Sequence, residues 1–178
     1  SRGLGDVYKR QDHSKILLNA ALETGLPVWV GLSCCDSKFD NSVIGRNFRA
    51  EKEKSLIYDE NKYKDQPKYL PEDKIILLED IIKSLTSLGG DVYGIMHTWF
   101  QDSIGGLKIL KNNWKGPIMF YPEIHKFDTN THKAIITMTE EEFSNSILEL
   151  IDDQIQIVGG CCGVNDKHLK KLIKSISE

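Results

Sequence analysis

The chain has 178 residues, of which 40% are hydrophobic and 28% charged, and its formal net charge is −3. That length suits one globular domain with a sizeable core, and mild acidity without a basic stripe argues against nucleic acid or anionic lipid as the main partner. No run of about 18 apolar residues is present, which excludes a membrane-spanning helix.

The first eleven residues, SRGLGDVYKRQ, stand apart from the rest. Their GLGDVYKRQ stretch resembles a translated sequencing adapter, so Ser1–Gln11 is set aside and the domain is expected over 12–178. Apolar spacing at Ile16, Leu17, Ala20 and Ala21 predicts a helix over 13–24, with Gly25 as its C-terminal cap. Pro27–Ser33 (PVWVGLS) reads as a buried strand. Cys34–Leu70 is polar and aperiodic, longer than an ordinary connection, and is expected to be a functional or partly mobile loop. A strong helix is predicted from Pro71, apolar at Ile75, Leu78, Ile81, Ile82, Leu85 and Leu88 and stopped by Gly89-Gly90. Asp91–Met96 is the next strand. A weaker helix over 102–112 carries Gly105-Gly106, and Gly116–Tyr121 is a third strand. Thr139 and Glu142 form a capping box for a helix with Phe143, Ile147, Leu148 and Ile151 inward. Gln154–Gly160 is the fourth strand, and Asn165 caps a last helix with Leu169, Leu172, Ile173 and Ile176 on one face. Strand followed by helix, four times over, implies parallel strands joined by crossover helices.

Chemistry-bearing side chains gather where those strands end. Cys34 and Cys35 follow the first, Met96 and His97 the second, Tyr121, Pro122 and Glu123 the third, and Cys161 and Cys162 the fourth. Active sites of parallel α/β proteins form at the carboxyl ends of strands. Two adjacent cysteine pairs are not the spaced framework of a secreted disulfide scaffold, so a reducing, cytoplasmic setting with functional thiols is expected. From the residues alone, each cysteine pair reads either as buried small hydrophobes or as working thiols, and His97 either as a structural residue or as a ligand. An open doubly wound sheet also satisfies the alternation, but no glycine-rich phosphate loop follows the first strand.

IVGGCCGVNDKHLKKL (Ile157–Leu172) resembles the last strand and helix of the homocysteine S-methyltransferase family, which includes betaine-dependent enzymes. ETGLPVWV (Glu23–Val30), VYGIMHT (Val92–Thr98) and FYP (Phe120–Pro122) are similar, in that order, to the family's later strands. The resemblance implies the C-terminal half, strands five to eight, of a (β/α)8 TIM barrel, which when complete takes about 250 residues. A fragment of that kind is expected to be inactive when alone and to be poorly soluble or to self-associate.

It also implies a Zn2+ site. The family holds zinc with one cysteine after strand six and an adjacent pair after strand eight, and the pair maps onto Cys161 and Cys162. Where the family has G-x-N-C, this chain has Gly94-Ile95-Met96-His97, so His97 is expected to be the third metal ligand in a Cys2His set with an open fourth position. A substrate thiol, homocysteine by resemblance, fills that position as thiolate. It attacks the methyl group of a sulfonium or ammonium donor, giving methionine. Gly160, Glu123 and Tyr121 are expected to contact substrate. Glu123 replaces the asparagine of the family's YPN and reads either as a partner that fixes the His97 tautomer or as a solvated carboxylate. Cys34 and Cys35 match no family ligand and read as packing or as a spare loop thiol. His125 and His132 are expected to face solvent, His168 to lie on a helix surface, and Trp29 and Trp114 to sit in the core or barrel wall. Trp99 and Phe100 either line a methyl-donor pocket or pack in the core. Departures at Met96, His97 and Glu123 leave an alternative, a non-catalytic zinc-binding or thiol-regulatory barrel. Oligomerisation is left open.

Overall fold

Apolar runs of four to eight residues alternate here with amphipathic stretches, and they fold as strands and helices in the same order. The computed structural model of the protein describes residues 11–46, 75–128 and 133–177. In chain order these form α1 (Gln11–Leu22), β1 (Trp29–Leu32), β2 (Cys34–Asp36), β3 (Val43–Gly45), α2 (Leu78–Thr86), β4 (Val92–Trp99) and α3 (Phe100–Asn113). Then come β5 (Ile118–Glu123), β6 (His125–Asp128), β7 (Lys133–Ile136), α4 (Glu140–Leu148), β8 (Ile155–Val158) and α5 (Asp166–Ser177). The expected loop beyond Arg46, the helix start at Pro71, His132 and Ser1–Arg10 lie outside the described residues.

The main sheet is parallel, in the order β1-β4-β5-β8, so each strand lies beside its predecessor in the sheet. This is a mixed α/β fold with a four-stranded parallel sheet and, among the described residues, five helices. Two antiparallel hairpins, β2–β3 and β6–β7, stand at the carboxyl ends of β1 and β5. Neither hairpin has a signal in the sequence. Helices pack on the sheet through a core that includes Leu32, Ile95, Phe120, Phe143 and Leu172. On α2, Leu78, Ile81, Ile82 and Leu85 are all fully buried, as the helical spacing requires. Burying each such side chain contributes about 1.5–3 kcal/mol, which is the main reason the short α2 is stable.

Several boundaries and faces differ from expectation, each for a visible reason. Helix α2 starts at Leu78 because Leu77 bridges to Ile44 and the Ile76 carbonyl accepts from Gly45 N, at 3.0 Å. The backbone at Ile75–Leu77 therefore supports β3 rather than a helical turn. Helix α3 starts directly after β4, at Phe100, and its Gly106 meets a neighbour: a Cβ there would stand 2.5 Å from Cys34 Sγ. On α1 the inward stripe is Ser14, Leu18, Ala21 and Leu22, whereas Ile16, Leu17 and Ala20 face out. Gly25, at φ 70°, does cap this helix, donating its N–H to the Leu22 carbonyl. On α5, Ile173 is 64% exposed and Ile176 is exposed too, because the helix seats His168 and Leu172 instead. Leu148 is also partly outward. Trp29 is 50% exposed: β1 is an edge strand, and no described element covers the face its indole presents. The Thr139–Glu142 capping box is present in both directions, and Asn165 Oδ1 caps α5 by accepting from Lys167 N at 3.0 Å.

No described helix is long and apolar enough to cross a membrane.

Candidate functional site

The site begins with an irregularity in β4. Met96 stands opposite Tyr121 of β5, but Trp99 stands opposite Glu123, so β4 carries one extra residue. Within this bulge His97 takes a φ of 50°, the left-handed region, which costs a side-chain-bearing residue about 1–2 kcal/mol. A bulge re-aims a side chain and frees backbone groups from the ladder. Here the freed groups are met from the β2–β3 hairpin. The His97 carbonyl accepts from Arg46 Nη1 at 2.6 Å, and Thr98 Oγ1 accepts from Cys34 N at 2.9 Å while donating to the Met96 carbonyl.

Glu123 ends β5 and is 2% exposed. Its Oε1 meets His97 Nδ1, and its Oε2 lies 3.3 Å from Arg46 Nη1. The third component is the GGCCG segment after β8. Its backbone continues the pairing with β5: Gly159 N donates to the Phe120 carbonyl, Cys161 N to that of Pro122, and Ile124 N to that of Cys162, at 3.0–3.1 Å. Gly163 turns the chain at φ 91°, and a Cβ on Gly160 would collide with Val164. The glycines therefore answer to turn geometry and close packing.

Four donor groups converge as a result. His97, Glu123, Cys161 and Cys162 each offer one ligand atom, all within 4.8 Å of one another. Cys161 Sγ lies 3.8 Å from His97 Nδ1 and 3.9 Å from Cys162 Sγ. Tetrahedral zinc, with bonds of about 2.3 Å to sulfur and about 2.0 Å to nitrogen, sets its sulfurs about 3.8 Å apart and sulfur and nitrogen about 3.5 Å apart. The distances from Cys161 Sγ to His97 Nδ1 and to Cys162 Sγ fit such an ion.

The groups perturb one another strongly. Contacts with Cys161 and then Glu123 push His97 up to about 9, against the effect of burial. Cys161 is lowered, chiefly by His97. Burial, followed by the charges of Cys161 and Glu123, pushes Cys162 up to about 11. Burial also pushes the Glu123 carboxyl up, but the His97 hydrogen bond and the charges of Arg46 and His97 outweigh it and hold the group below its usual range. Without a metal these contacts favour the thiolate form of Cys161, the imidazolium of His97 and the carboxylate of Glu123.

Of the residues singled out from sequence, His97, Glu123, Cys161 and Cys162 are thus brought together. Tyr121 stays outside the donor group, its ring against Gly159, and Gly160 is exposed beside the cysteine pair. Cys34 and Cys35 are buried outside any disulfide, and burial raises Cys34 to about 12, as suits a packing group. Phe100 is a core residue, edge-on to Phe120 and Phe143. Trp99 is half-buried with Lys126 Nζ 5.0 Å over its ring, and Trp114 is partly buried against the core. His125 is not solvent-facing; it is half-buried, with Gly163 against its Cβ. His168 is not on the surface either. It is 3% exposed, with Nδ1 2.9 Å from Asn165 Oδ1 and Nε2 3.3 Å from the Met138 carbonyl, so its polar atoms are satisfied inside. Sequence reasoning missed Arg46 entirely. A single arginine at the end of an aperiodic stretch carries no pattern, and only its contacts distinguish it.

Fold and site together define a parallel α/β protein with a metal-competent cluster of thiols, imidazole and carboxylate at the carboxyl ends of its strands. Residues 77–176 match the family model described as Homocysteine S-methyltransferase, and the chain belongs to that family. The matched region holds His97, Glu123, Cys161 and Cys162 but begins after ETGLPVWV and Arg46. Comparison with curated proteins gives no match.

Proposed function

We propose that this protein takes part in zinc-dependent methyl transfer to a thiol, with homocysteine as acceptor and methionine as product. The single observation that carries the zinc reading is the spacing of His97 Nδ1, Cys161 Sγ and Cys162 Sγ, which suits three ligands of one tetrahedral ion. Bound zinc supplies one thing, acidification of a substrate thiol at neutral pH. The chain supplies the rest. His97 and the cysteine pair hold the ion from two different strand ends, while Tyr121 and exposed Gly160 border the space for substrate. The thiol proton leaves to solvent. The sulfur then forms a bond to the methyl carbon as the carbon–sulfur or carbon–nitrogen bond of a sulfonium or ammonium donor breaks, and the donor departs as a neutral thioether or amine.

For the fold, the reading is strands five to eight of a (β/α)8 barrel. The strand order β1-β4-β5-β8 supports it, since neighbouring barrel strands follow one another in the chain. Exposed Trp29 at one sheet edge, and an apolar groove of about 550 Å³ between α4, β8 and α5 at the other, are faces that further barrel strands would cover. Four cysteines, none of them in a disulfide, support a reducing compartment such as the cytoplasm. Met96, His97 and Glu123, all departures from the family motif, favour a second reading, a zinc-binding or thiol-regulatory protein without turnover.

The test is zinc per chain, by elemental analysis of the full-length protein, its His97→Ala and its Cys161→Ser variants, followed by methyl transfer from S-methylmethionine, S-adenosylmethionine or betaine. About one zinc, weakened in both variants, together with methionine formation, is the expected result. Zinc without turnover on any thiol selects the second reading. A folded wild type that binds no zinc overturns methyl transfer by zinc-assisted thiolate formation and leaves only the thiol-regulatory form of the second reading.

A further inference from the structure

We propose that Arg46 is the positioning residue of this site, holding His97 against Cys161 from both its main chain and its ring. This inference rests on the zinc reading only for what the positioning serves; the positioning itself is a matter of geometry.

The two hydrogens of Arg46 Nη1 go to two oxygens. One is the His97 carbonyl, at 2.6 Å, and the other is Glu123 Oε2, at 3.3 Å. Glu123 Oε1 in turn meets His97 Nδ1. The contacts form a closed circuit, guanidinium to His97 backbone, His97 ring to carboxylate, carboxylate back to guanidinium. A left-handed residue inside a strand persists only where its surroundings over-determine it. A carbonyl turned out of a ladder also needs a donor. Arg46 satisfies both requirements, because without it the His97 carbonyl loses this donor and the bulge can relax toward regular pairing. Regular pairing would swing the ring to the other face of β4, since successive strand residues alternate sides.

The same group answers a second need. A carboxylate as buried as Glu123 requires a fixed counter-charge. If His97 were its only partner, the ring would be free to follow the carboxylate; with Arg46 on the second oxygen, the carboxylate is pinned and, in metal-free protein, the ring with it, whereas a metal at Nδ1 would replace the Glu123 contact and leave the main-chain hold. Arg46 is itself held. It is 6% exposed, its N–H donates to the Ser33 carbonyl, and the hairpin that delivers it is tied to β4 through Cys34 N and Thr98. A lysine at this position is one bond shorter and falls short of serving both oxygens.

The experiment uses the full-length protein with Arg46→Met and Arg46→Lys substitutions, and Ile147→Ala as a core variant remote from the site. Two readouts are taken, the nuclear Overhauser contact between the His97 ring and the Cys161 β protons in metal-free protein, and zinc affinity by chelator competition. Arg46→Met is expected to lose the contact and to weaken zinc by tenfold or more, with Arg46→Lys in between and still folded if the methionine variant is not. Ile147→Ala is expected to move neither, although it destabilises the fold. An Arg46→Met protein that keeps the contact and binds zinc within threefold of wild type overturns the inference while leaving the zinc reading intact. Loss of the contact in a protein whose wild type binds no zinc supports the inference and overturns the zinc reading.

Discussion

Helix α3 lies so close to the β2–β3 hairpin that one hydrogen on Gly106 separates it from Cys34. Replacing Gly106 with alanine sets two effects against each other. An alanine in a helix interior is favoured over glycine by about 1 kcal/mol. The new Cβ, however, would stand 2.5 Å from Cys34 Sγ and 3.3 Å from Ile95 Cδ1, where ordinary contacts are about 3.5–4.0 Å. Cys34 is 1% exposed and Ile95 fully buried, so neither can swing into solvent. Relieving roughly 1 Å of overlap in such a place costs about 3 kcal/mol, the upper end for overpacking. The clash wins, and Gly106→Ala is expected to destabilise the protein by about 2 kcal/mol in urea unfolding followed by circular dichroism.

Two controls separate the clash from a general intolerance of α3. Gly105 faces a looser neighbour, with Val43 Cγ2 at 3.1 Å from its virtual Cβ, so Gly105→Ala is expected to be neutral or slightly stabilising. Cys34→Ala removes the sulfur that obstructs Gly106→Ala and alone costs about 1.5 kcal/mol in lost burial and cavity. In the double variant the new methyl fills the vacated space, so a total of about 1 kcal/mol is expected, a coupling of about 2.5 kcal/mol. Gly106→Ala as stable as Gly105→Ala, or additive with Cys34→Ala, would refute the reasoning.

Gly94→Ala should cost about 3 kcal/mol, because its Cβ would run into Met119 of the paired strand, including a carbonyl that cannot rotate away; a thermal midpoint near wild type would contradict this. In metal-free protein, His97→Gly should be about 1 kcal/mol more stable than His97→Ala, since only glycine adopts a φ of 50° without cost. Equal stabilities in the same urea assay would mean that the bulge relaxes. Mass-spectrometric alkylation mapping at neutral pH should find Cys161 and Cys162 modified, with Cys34 and Cys35 protected until denaturant is added. Because Cys34 is raised from 9.0 to about 12, its neutral thiol favours the folded state fully below pH 9 and loses that contribution as pH rises through 12. Wild type should therefore lose more stability than Cys34→Ala between pH 8 and 10, and parallel pH curves would count against the burial argument.

The parts of this molecule that were legible in the sequence are those with a period or a cap. Leu78, Ile81, Ile82 and Leu85 spell out the buried face of α2, and Thr139 with Glu142 marks the start of α4. The cysteine pair after β8 and His97 near the end of β4 were placed by their order relative to strands, and the structure brings them together. What escaped has no such signal. Three-residue strands such as Cys34–Asp36 are too short to alternate. The face of α5 was misread because an apolar stripe at Leu169, Leu172, Ile173 and Ile176 gives no credit to a histidine, yet His168 is buried, with Asn165 and the Met138 carbonyl meeting its ring nitrogens. Arg46 was invisible for a related reason: its importance lies in two acceptors, His97 and Glu123, that are 51 and 77 residues away in sequence.

The exchange of a cysteine for His97 has a chemical consequence under the proposed function. Relative to the family's three thiolates, two thiolates and a neutral imidazole leave the site one unit less negative. Glu123 does not restore that charge, because Arg46 stands against its second oxygen. A less negative site acidifies an incoming thiol further but also makes its sulfur a weaker nucleophile. The two effects are unequal. Thiolate reactivity falls along a Brønsted slope of about 0.4–0.5, so each unit of lowered pKa costs about threefold in intrinsic rate. The same unit raises the thiolate fraction about tenfold as long as the thiol remains mostly protonated at the working pH. Histidine is therefore the better ligand for an acceptor whose thiol resists ionisation, and cysteine for one that ionises readily. On this argument His97 selects among acceptors by acidity, with an advantage that fades once the working pH exceeds the pKa of the bound thiol.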